Sequence, residues 1–209
     1  MEVSKTLQEP KPPESLRDPG QIEDIVQRIQ QGEREEFALI VQAFQQPIFR
    51  YCCRLLGNRQ DAEDAVQDVL FKAYQSIGRY KPAASFSSWL YRIACNHCLN
   101  LLRRRRLQSR IMRIFKPETA AGSPEQKMEE GLYSETLQAA LMKLSLEERN
   151  MLVLRVFEQL SYQEMSEILQ VSPNALNKRM KKTMNKMKAC IEHKEEMECN
   201  TESVMSTKI

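Results

Sequence analysis

The chain has 209 residues, of which 42% are hydrophobic and 28% are charged, and its formal net charge is +3. This length allows one large domain or two small ones. The 6 glycines and 9 prolines are too few for a fold built on many tight β-turns or on Gly-rich phosphate loops. No apolar run is long enough to span a bilayer, and the N-terminus lacks the apolar segment of a signal peptide. The sequence therefore predicts a cytoplasmic protein whose 6 cysteines are reduced thiols.

Positive charge is concentrated in two blocks. Residues 37–106 carry eleven basic and four acidic side chains, and residues 136–189 carry nine basic and five acidic ones. The segments before, between and after these blocks are net negative. Two basic blocks flanked by acidic segments suggest two modules that meet a polyanion.

Helical periodicity runs along most of the chain. From Ile22 onward apolar residues recur at spacings of three and four, which predicts an all-α protein of two small helical domains joined by a flexible linker. Pro47 is expected to break or kink its helix, and residues 78–88 are expected to form a loop. The predicted units are a disordered tail (1–20), a first domain (21–106), a linker (107–135), a second domain (136–190) and a polar tail (191–209).

Residues 161–188 have the pattern of a helix-turn-helix whose second helix carries DNA-binding residues. Ser161 and Glu164 form a capping box, Gln170 and Val171 make the turn, and Pro173 opens a helix with no acidic residue up to position 188. A basic second helix suits the major groove. The candidates for base reading are Asn174, Asn177, Lys178 and Arg179, and those for phosphate contact are Lys181, Lys182 and Lys186. The alternative is an ordinary helical hairpin with a solvated basic face.

That second helix is amphipathic. Its inner side is expected to carry Leu176, Met180, Thr183, Met184 and Met187. A further capping box at Ser145 and Glu148 begins the helix before it, which we expect to be scaffold.

An acidic stripe lies on the helix predicted to begin near Asp61. Asp61, Asp64, Asp68 and Lys72, with Gln67 beside them, share one surface because they are three or four residues apart. The stripe is either an ordinary exposed face or a docking surface for a positively charged protein.

Residues 80–106 combine aromatic, basic and amide side chains, as single-stranded nucleic acid requires. Trp89 is expected in the core, Phe86 is expected in the loop and in contact with a base, and the four arginines are expected on phosphates. The candidates are Tyr80, Lys81, Phe86, Arg92, Asn96, Asn100, Arg103 and Arg104.

Catalytic and metal sites are not indicated. No Ser/His/Asp set, paired carboxylates or phosphate loop is present, so we expect a protein that is not an enzyme and needs no cofactor. Cys95, His97 and Cys98 could bind zinc, but no second Cys/His pair stands at finger spacing nearby. Ordinary thiols are the favoured interpretation.

Together these segments resemble the extracytoplasmic-function (ECF) subfamily of bacterial RNA polymerase sigma factors. The resemblance is carried by residues 47–51, by Leu55-Leu56-Gly57 through Asp68, by the segment from Phe86 to Asn96, and by residues 144–188. It implies that Asp64, Gln67 and Asp68, within a surface that includes Asp61, contact the largest polymerase subunit. It also implies that Asn96 reads a minus-ten base, that the loop near Phe86 receives a flipped-out base, and that the second domain binds the minus-thirty-five element.

The recognition helix departs from the pattern usual in the family. Asn174, Ala175 and Asn177 differ and Arg179 matches, so the promoter sequence is not inherited from the resemblance. The implied partners are core RNA polymerase, duplex and single-stranded promoter DNA, and an anti-sigma factor, with no insertion into a membrane. The competing hypotheses are an autonomous helix-turn-helix regulator and a thiol or metal sensor.

Overall fold

The computed structural model describes residues 18–81, 85–115 and 135–205, with side chains to position 111, at Leu137, and again from 140 to 191. Over these ranges the chain forms α-helices and no β-strand, so the predicted all-α class is confirmed. The helices are α1 (Pro19–Gln30), α2 (Phe37–Leu56), α3 (Arg59–Ser76), α4 (Phe86–Phe115), α5 (Glu135–Met142), α6 (Leu146–Leu152), α7 (Tyr162–Leu169) and α8 (Pro173–Met205). None of these helices is both long and apolar enough to cross a bilayer.

Local capping signals set where helices of the first lobe, α1 to α4, begin and end. Asp18 caps α1 by accepting a hydrogen bond from the Gly20 amide. Gly57 ends α2 in the left-handed conformation, at φ 72°, which glycine adopts without steric cost. Asn58 then caps α3 by accepting from the Asp61 amide at 2.9 Å.

Pro47 does not end its helix, so of the break or kink expected there the break does not occur. Helix α2 runs through Pro47 from Phe37 to Leu56. Ile40, Ile48 and Tyr51 are fully buried on either side of it. Their packing offsets the single hydrogen bond that proline removes.

Three other boundaries in the structure differ from the predicted ones, because the helices extend further than the composition indicated. The 78–88 loop is shorter, since a 3₁₀ turn covers Ile77–Arg79 and α4 begins at Phe86. Helix α4 enters the predicted linker as far as Phe115, and residues 116–134 lie outside the described ones. Helix α8 continues through the predicted polar tail to Met205. Of the predicted N-terminal tail, only residues 18–20 are described, and Pro19 and Gly20 belong to α1.

The second lobe, α5 to α8, contains the predicted helix-turn-helix. Both capping boxes are confirmed, at Ser145 with Glu148 and at Ser161 with Glu164. Helix α6 continues into a π-helical turn at Val153–Phe157. Gln170 ends α7 at φ 56°, and the Ser172 hydroxyl accepts from the Ala175 amide at the start of α8.

The two lobes pack directly against each other. Helix α4 contacts α7, and α2 contacts the π-helical turn. One apolar cluster contains buried residues of both lobes, including Ile40 and Leu90 of the first and Met151, Met165 and Ile168 of the second. The two predicted helical lobes are present, and α6 and α7 of the second lobe also bury apolar residues against α2 and α4 of the first.

Candidate nucleic-acid and protein-docking surfaces

The outer face of α3 carries an exposed acidic cluster. Asp64, Gln67 and Asp68 are exposed, because Ala65, Val66 and Val69 occupy the inner face of the same helix. The predicted common surface therefore exists as geometry. Its two carboxylates, those of Asp64 and Asp68, are open to solvent.

Asp61 is engaged within the lobe. Its two carboxylate oxygens accept from the Arg105 guanidinium at 2.5 and 2.6 Å. This bidentate bond raises the pKa of Arg105 and holds the end of α3 against α4. Asp61 is thus less available to a partner than Asp64 and Asp68, and Arg105 is less available to phosphate than its neighbours.

His97 joins the acidic face to α4. Lys72 Nζ lies 2.6 Å from His97 Nδ1, and Asp68 Oδ2 lies 3.7 Å from His97 Nε2. Burial, and then the positive charge of Lys72, lower the pKa of His97 although Asp68 opposes them. A neutral ring accepts from Lys72 at Nδ1 and directs its Nε2–H towards Asp68, which orients that carboxylate.

Phe71 is a docking candidate that the sequence reasoning missed. Its side chain is 60% exposed, three residues after Asp68 on the same helix. A large apolar residue beside an acidic cluster is typical of a protein interface. The signal was present, because position 71 falls off the apolar stripe formed by Val66, Val69, Leu70 and Ala73.

Tyr80 and Phe86 are buried, which corrects their proposed role in contacting bases. They are 5% and 1% exposed, and their rings meet edge to face at 5.4 Å. Glu23 of α1 accepts from the Tyr80 hydroxyl at 2.9 Å and from the Phe86 amide at 2.8 Å, so it caps α4. Burial, and then the Glu23 carboxylate, raise the pKa of Tyr80. Trp89 packs against this cluster half-buried, and Lys81 is exposed.

One face of α4 carries the remaining first-lobe candidates. Asn96, Asn100, Arg103 and Arg104 are exposed at positions that share one side of the helix. Arg103 donates to Glu147 at 3.2 Å across the lobes. Arg92, one turn before Asn96, is half-buried and donates to the Glu167 carbonyl at 2.6 and 3.1 Å. Amides and cations therefore lie together, but Arg92 is occupied by the second lobe.

Helix α8 presents its basic face as the sequence predicted. The exposed residues are Asn174, Asn177, Lys178, Arg179, Lys181, Lys182 and Lys186. Leu176, Met180, Thr183 and Met187 are buried. Met184, expected inside, is 45% exposed because α5 and α6 cover only part of the helix beyond the turn. Lys186 donates to Glu148 of α6 at 2.9 Å, so a neighbouring helix already engages this lysine.

The two basic surfaces face each other across a cleft. This cleft has a volume of about 690 Å³, and its lining includes Arg92, Asn96 and Arg103 from α4 with Arg179 and Lys182 from α8. The cleft therefore separates part of the candidate surface of α4 from part of that of α8, whereas Asn174, Asn177, Lys178 and Lys181 do not line it.

The thiols do not converge on a metal site. Cys98 faces Cys52 at 3.6 Å between sulfur atoms, Cys95 accepts from Asn150, and His97 faces Lys72. Among the described residues no group of three or more His, Cys, Asp or Glu side chains could hold a metal ion. Cys95, His97 and Cys98 thus each face a different neighbour.

Each of the two lobes matches the model of a known protein family. Residues 40–108 match the model of Sigma-70 region 2, and residues 134–187 match that of Sigma-70, region 4. The chain is 30% identical to the RNA polymerase sigma-H factor of Pseudomonas aeruginosa, over 77% of this chain and 88% of that one. It is 29% identical to the ECF RNA polymerase sigma factor SigW of Bacillus subtilis, over 76% and 90%. The fold is similar to the sigma factor RpoE of Bartonella quintana, solved with the anti-sigma factor NepR, at TM-score 0.59, 21% identity, and coverage of 76% and 98%.

Proposed function

Because this chain belongs to the family of extracytoplasmic-function sigma factors of bacterial RNA polymerase, we propose that it acts as a dissociable initiation subunit. It binds core polymerase, directs it to specific promoters and melts the minus-ten element. The observation that carries this proposal is the placement of an acidic docking face on one lobe and a basic helix-turn-helix on the other.

The polymerase-binding surface is Asp64, Gln67 and Asp68, with Phe71 as its apolar centre. The carboxylates provide charge complementarity, and Phe71 provides apolar area that a partner can bury. Asp61 does not contact the partner; its ion pair with Arg105 holds α3 against α4 and so fixes the position of this surface.

The minus-ten surface is the exposed face of α4. Asn96 and Asn100 can hydrogen-bond the edge of an unpaired base, while Arg103 and Arg104 neutralise phosphates. Lys81 adds a cation at the other end. Tyr80 and Phe86 set the position of α4, and Arg92 reaches DNA only after it leaves the Glu167 carbonyl.

The minus-thirty-five surface is the N-terminal part of α8. Asn174, Asn177, Lys178 and Arg179 lie in the first two turns, and this position supports a role in reading base edges, since the start of the second helix does so in helix-turn-helix proteins. Lys181 and Lys182 follow on the backbone side. The departures from the usual family residues indicate a promoter preference of its own.

The partners follow from the same proposal. An anti-sigma factor is proposed because the Bartonella quintana relative was solved with one. The protein acts in the cytoplasm, where polymerase and chromosome are, and it performs no catalysis itself. The autonomous regulator is not favoured, because region 2 matches the first lobe.

The test is run-off transcription from genomic fragments with purified core polymerase, with and without this protein. Asp64→Arg with Asp68→Arg should lower polymerase affinity and transcript yield at least about tenfold, or about 1.4 kcal/mol. The matched control is Glu33→Arg with Glu35→Arg, which makes the same change of charge at exposed positions away from α3. Transcription unaffected by the first pair would refute the docking face. Tight specific binding of duplex DNA by the free protein, with no promoter-dependent transcripts, would favour the autonomous regulator.

A further inference from the structure

We infer that Glu23 and Gln30 of α1 are positioning residues for the minus-ten surface. They bind the turn that follows α3 and the first residue of α4, and so fix the orientation of Lys81 and of the exposed α4 face towards DNA. Neither side chain is proposed to touch DNA itself. This inference rests on the proposed function, because it concerns the same minus-ten surface. The match to the family model begins at residue 40, so α1 lies outside the matched residues.

Gln30 holds the turn that follows α3. Its Nε2 donates to the Ile77 carbonyl at 2.8 Å and to the Tyr80 carbonyl at 2.9 Å. Ile77 begins the 3₁₀ turn, and Tyr80 is the residue that ends it. A side-chain amide has two N–H donors, and here both are used on backbone oxygens 47 and 50 residues away. These bonds fix the backbone immediately before Lys81, which is exposed.

Glu23 holds the start of α4. Its Oε1 accepts from the Phe86 amide at 2.8 Å and from the Tyr80 hydroxyl at 2.9 Å, and its Oε2 lies 3.0 Å from the same hydroxyl. The first amides of a helix have no partner within it, so a carboxylate there is favoured as an acceptor and by the helix dipole. The raised pKa of Tyr80 keeps its hydroxyl protonated and able to donate. One carboxylate thus joins α1, the end of the 3₁₀ turn and α4.

The two side chains lie on a face of α1 that does not pack the helix into the lobe. Positions 23 and 30 are seven residues apart, which is about two turns, so they share one side of the helix. The residues that pack α1 are at most 5% exposed, and they are Ile22, Ile25, Val26 and Ile29. Loss of Glu23 or Gln30 leaves this apolar packing intact. The lobe should therefore stay folded while the turn and α4 lose their fixed position.

An aromatic cluster transmits these anchors to α4. The Tyr80 ring lies 5.4 Å from that of Phe86 and 5.3 Å from that of Trp89, between ring centroids. Phe86 and Trp89 belong to the first turn of α4, and Asn96 is about 15 Å further along its axis. A tilt of about 5° at that turn moves Asn96 by about 1.3 Å, more than the roughly 0.5 Å within which a binding group must be held.

A purely stabilising role of Glu23 and Gln30 makes a different prediction from a positioning role. If the two residues only stabilised the lobe, their loss would lower the fraction of active protein and weaken binding of all DNA sequences in the same proportion. A positioning role instead lowers the preference for the correct minus-ten sequence, because the phosphate contacts of Arg103 and Arg104 do not depend on sequence. The ratio of two affinities separates the roles.

The experiment measures that ratio with holoenzyme formed from core polymerase and this protein. One labelled single-stranded DNA carries the non-template minus-ten sequence of the strongest promoter found by run-off transcription, and the other is a scrambled oligonucleotide of the same composition. Fluorescence anisotropy gives the affinity for each. Glu23→Ala should lower the ratio at least about fivefold, or about 1 kcal/mol, the smallest usual cost of one mismatched base. Gln30→Ala should lower it by a smaller factor, because it loses only neutral hydrogen bonds.

The matched controls lie on the same helix. Asp24→Ala removes the same charge as Glu23→Ala, and Gln27→Ala removes the same amide as Gln30→Ala, both at exposed positions. Both controls should keep the affinity ratio of wild type. Glu23→Gln keeps an acceptor oxygen without the charge, so it should restore part of the ratio that Glu23→Ala loses. In all variants the affinity for the scrambled oligonucleotide should stay within about twofold of wild type, since the phosphate contacts are unchanged.

Trp89 provides a second measurement that needs no polymerase. It is the single tryptophan of the chain, and it packs against Tyr80 and Phe86. In the free protein, Glu23→Ala should increase the quenching of Trp89 fluorescence by acrylamide, because the aromatic cluster loses the carboxylate that holds it. Asp24→Ala should leave the quenching unchanged.

The outcomes separate this inference from the proposed function. If wild-type holoenzyme yields no promoter-dependent transcript or does not distinguish the two oligonucleotides, the proposed function fails and the inference fails with it. If wild type distinguishes them and Glu23→Ala does so equally well, only the inference is overturned. Loss of affinity for both oligonucleotides in the same proportion, or unchanged quenching of Trp89, also overturns it, because α1 then does not position the minus-ten surface.

Discussion

The bond between Tyr51 and Asn150 allows a quantitative test of the packing between lobes. Tyr51 is 0% exposed and Asn150 is 1% exposed, so each variant strands a buried polar group. Tyr51→Phe leaves Asn150 Oδ1 without its donor, which costs about 1–3 kcal/mol. For a chain of this size, a loss of about 2 kcal/mol lowers the melting temperature by roughly 4–8 °C.

A double-mutant cycle isolates the bond from other effects of the substitutions. Asn150→Leu keeps a similar volume but also removes the contact with Cys95. The contact with Cys95 is lost whether position 51 is Tyr or Phe, so its contribution cancels from the coupling free energy. Calorimetry and urea unfolding of the four proteins should give a coupling free energy of about 0.5–3 kcal/mol. Tyr74→Phe deletes the same atom from a side chain that is 37% exposed, and it should change stability by less than about 0.5 kcal/mol.

Effects of Tyr51→Phe and Asn150→Leu that add within about 0.5 kcal/mol would refute this reasoning, because independent sites behave in that way. A Tyr51→Phe protein with the melting temperature of wild type would refute it as well. In either case the hydroxyl does not join the two lobes in solution.

Two further predictions concern DNA binding and pH. With holoenzyme on duplex promoter fragments, Lys181→Ala should weaken binding to all sequences and reduce the slope of log K against log salt by about 1, whereas Asn177→Ala should relax sequence preference at one position. Equal salt slopes for the two variants would contradict these roles. The lowered pKa of His97 means that the unfolded chain binds more protons near pH 6. The free energy of unfolding should therefore be highest above about pH 6.5 and should fall as the pH drops below that value. Urea unfolding between pH 5 and 8 should show this slope flattened in His97→Gln, and an unchanged slope would exclude His97 as its source.

The sequence by itself determined the helical class, the helix caps and the surface that Asp64 and Asp68 share. Ser161 with Glu164, Gly57 and Pro173 act within a few residues of themselves, so their capping roles follow from local geometry. The helical repeat likewise determined that Asp64 and Asp68 share a surface.

The tertiary structure decided which of those faces are free. Phe86 is buried by Tyr80 and capped by Glu23, 63 residues away, and Asp61 is held by Arg105, 44 residues away. The Tyr51 hydroxyl donates to Asn150, 99 residues further along the chain. No local pattern specifies such partners, because spacing and capping describe only a residue's chain neighbours. Burial and pairing between distant helices are settled when the apolar faces of α2, α4, α6 and α7 exclude water together.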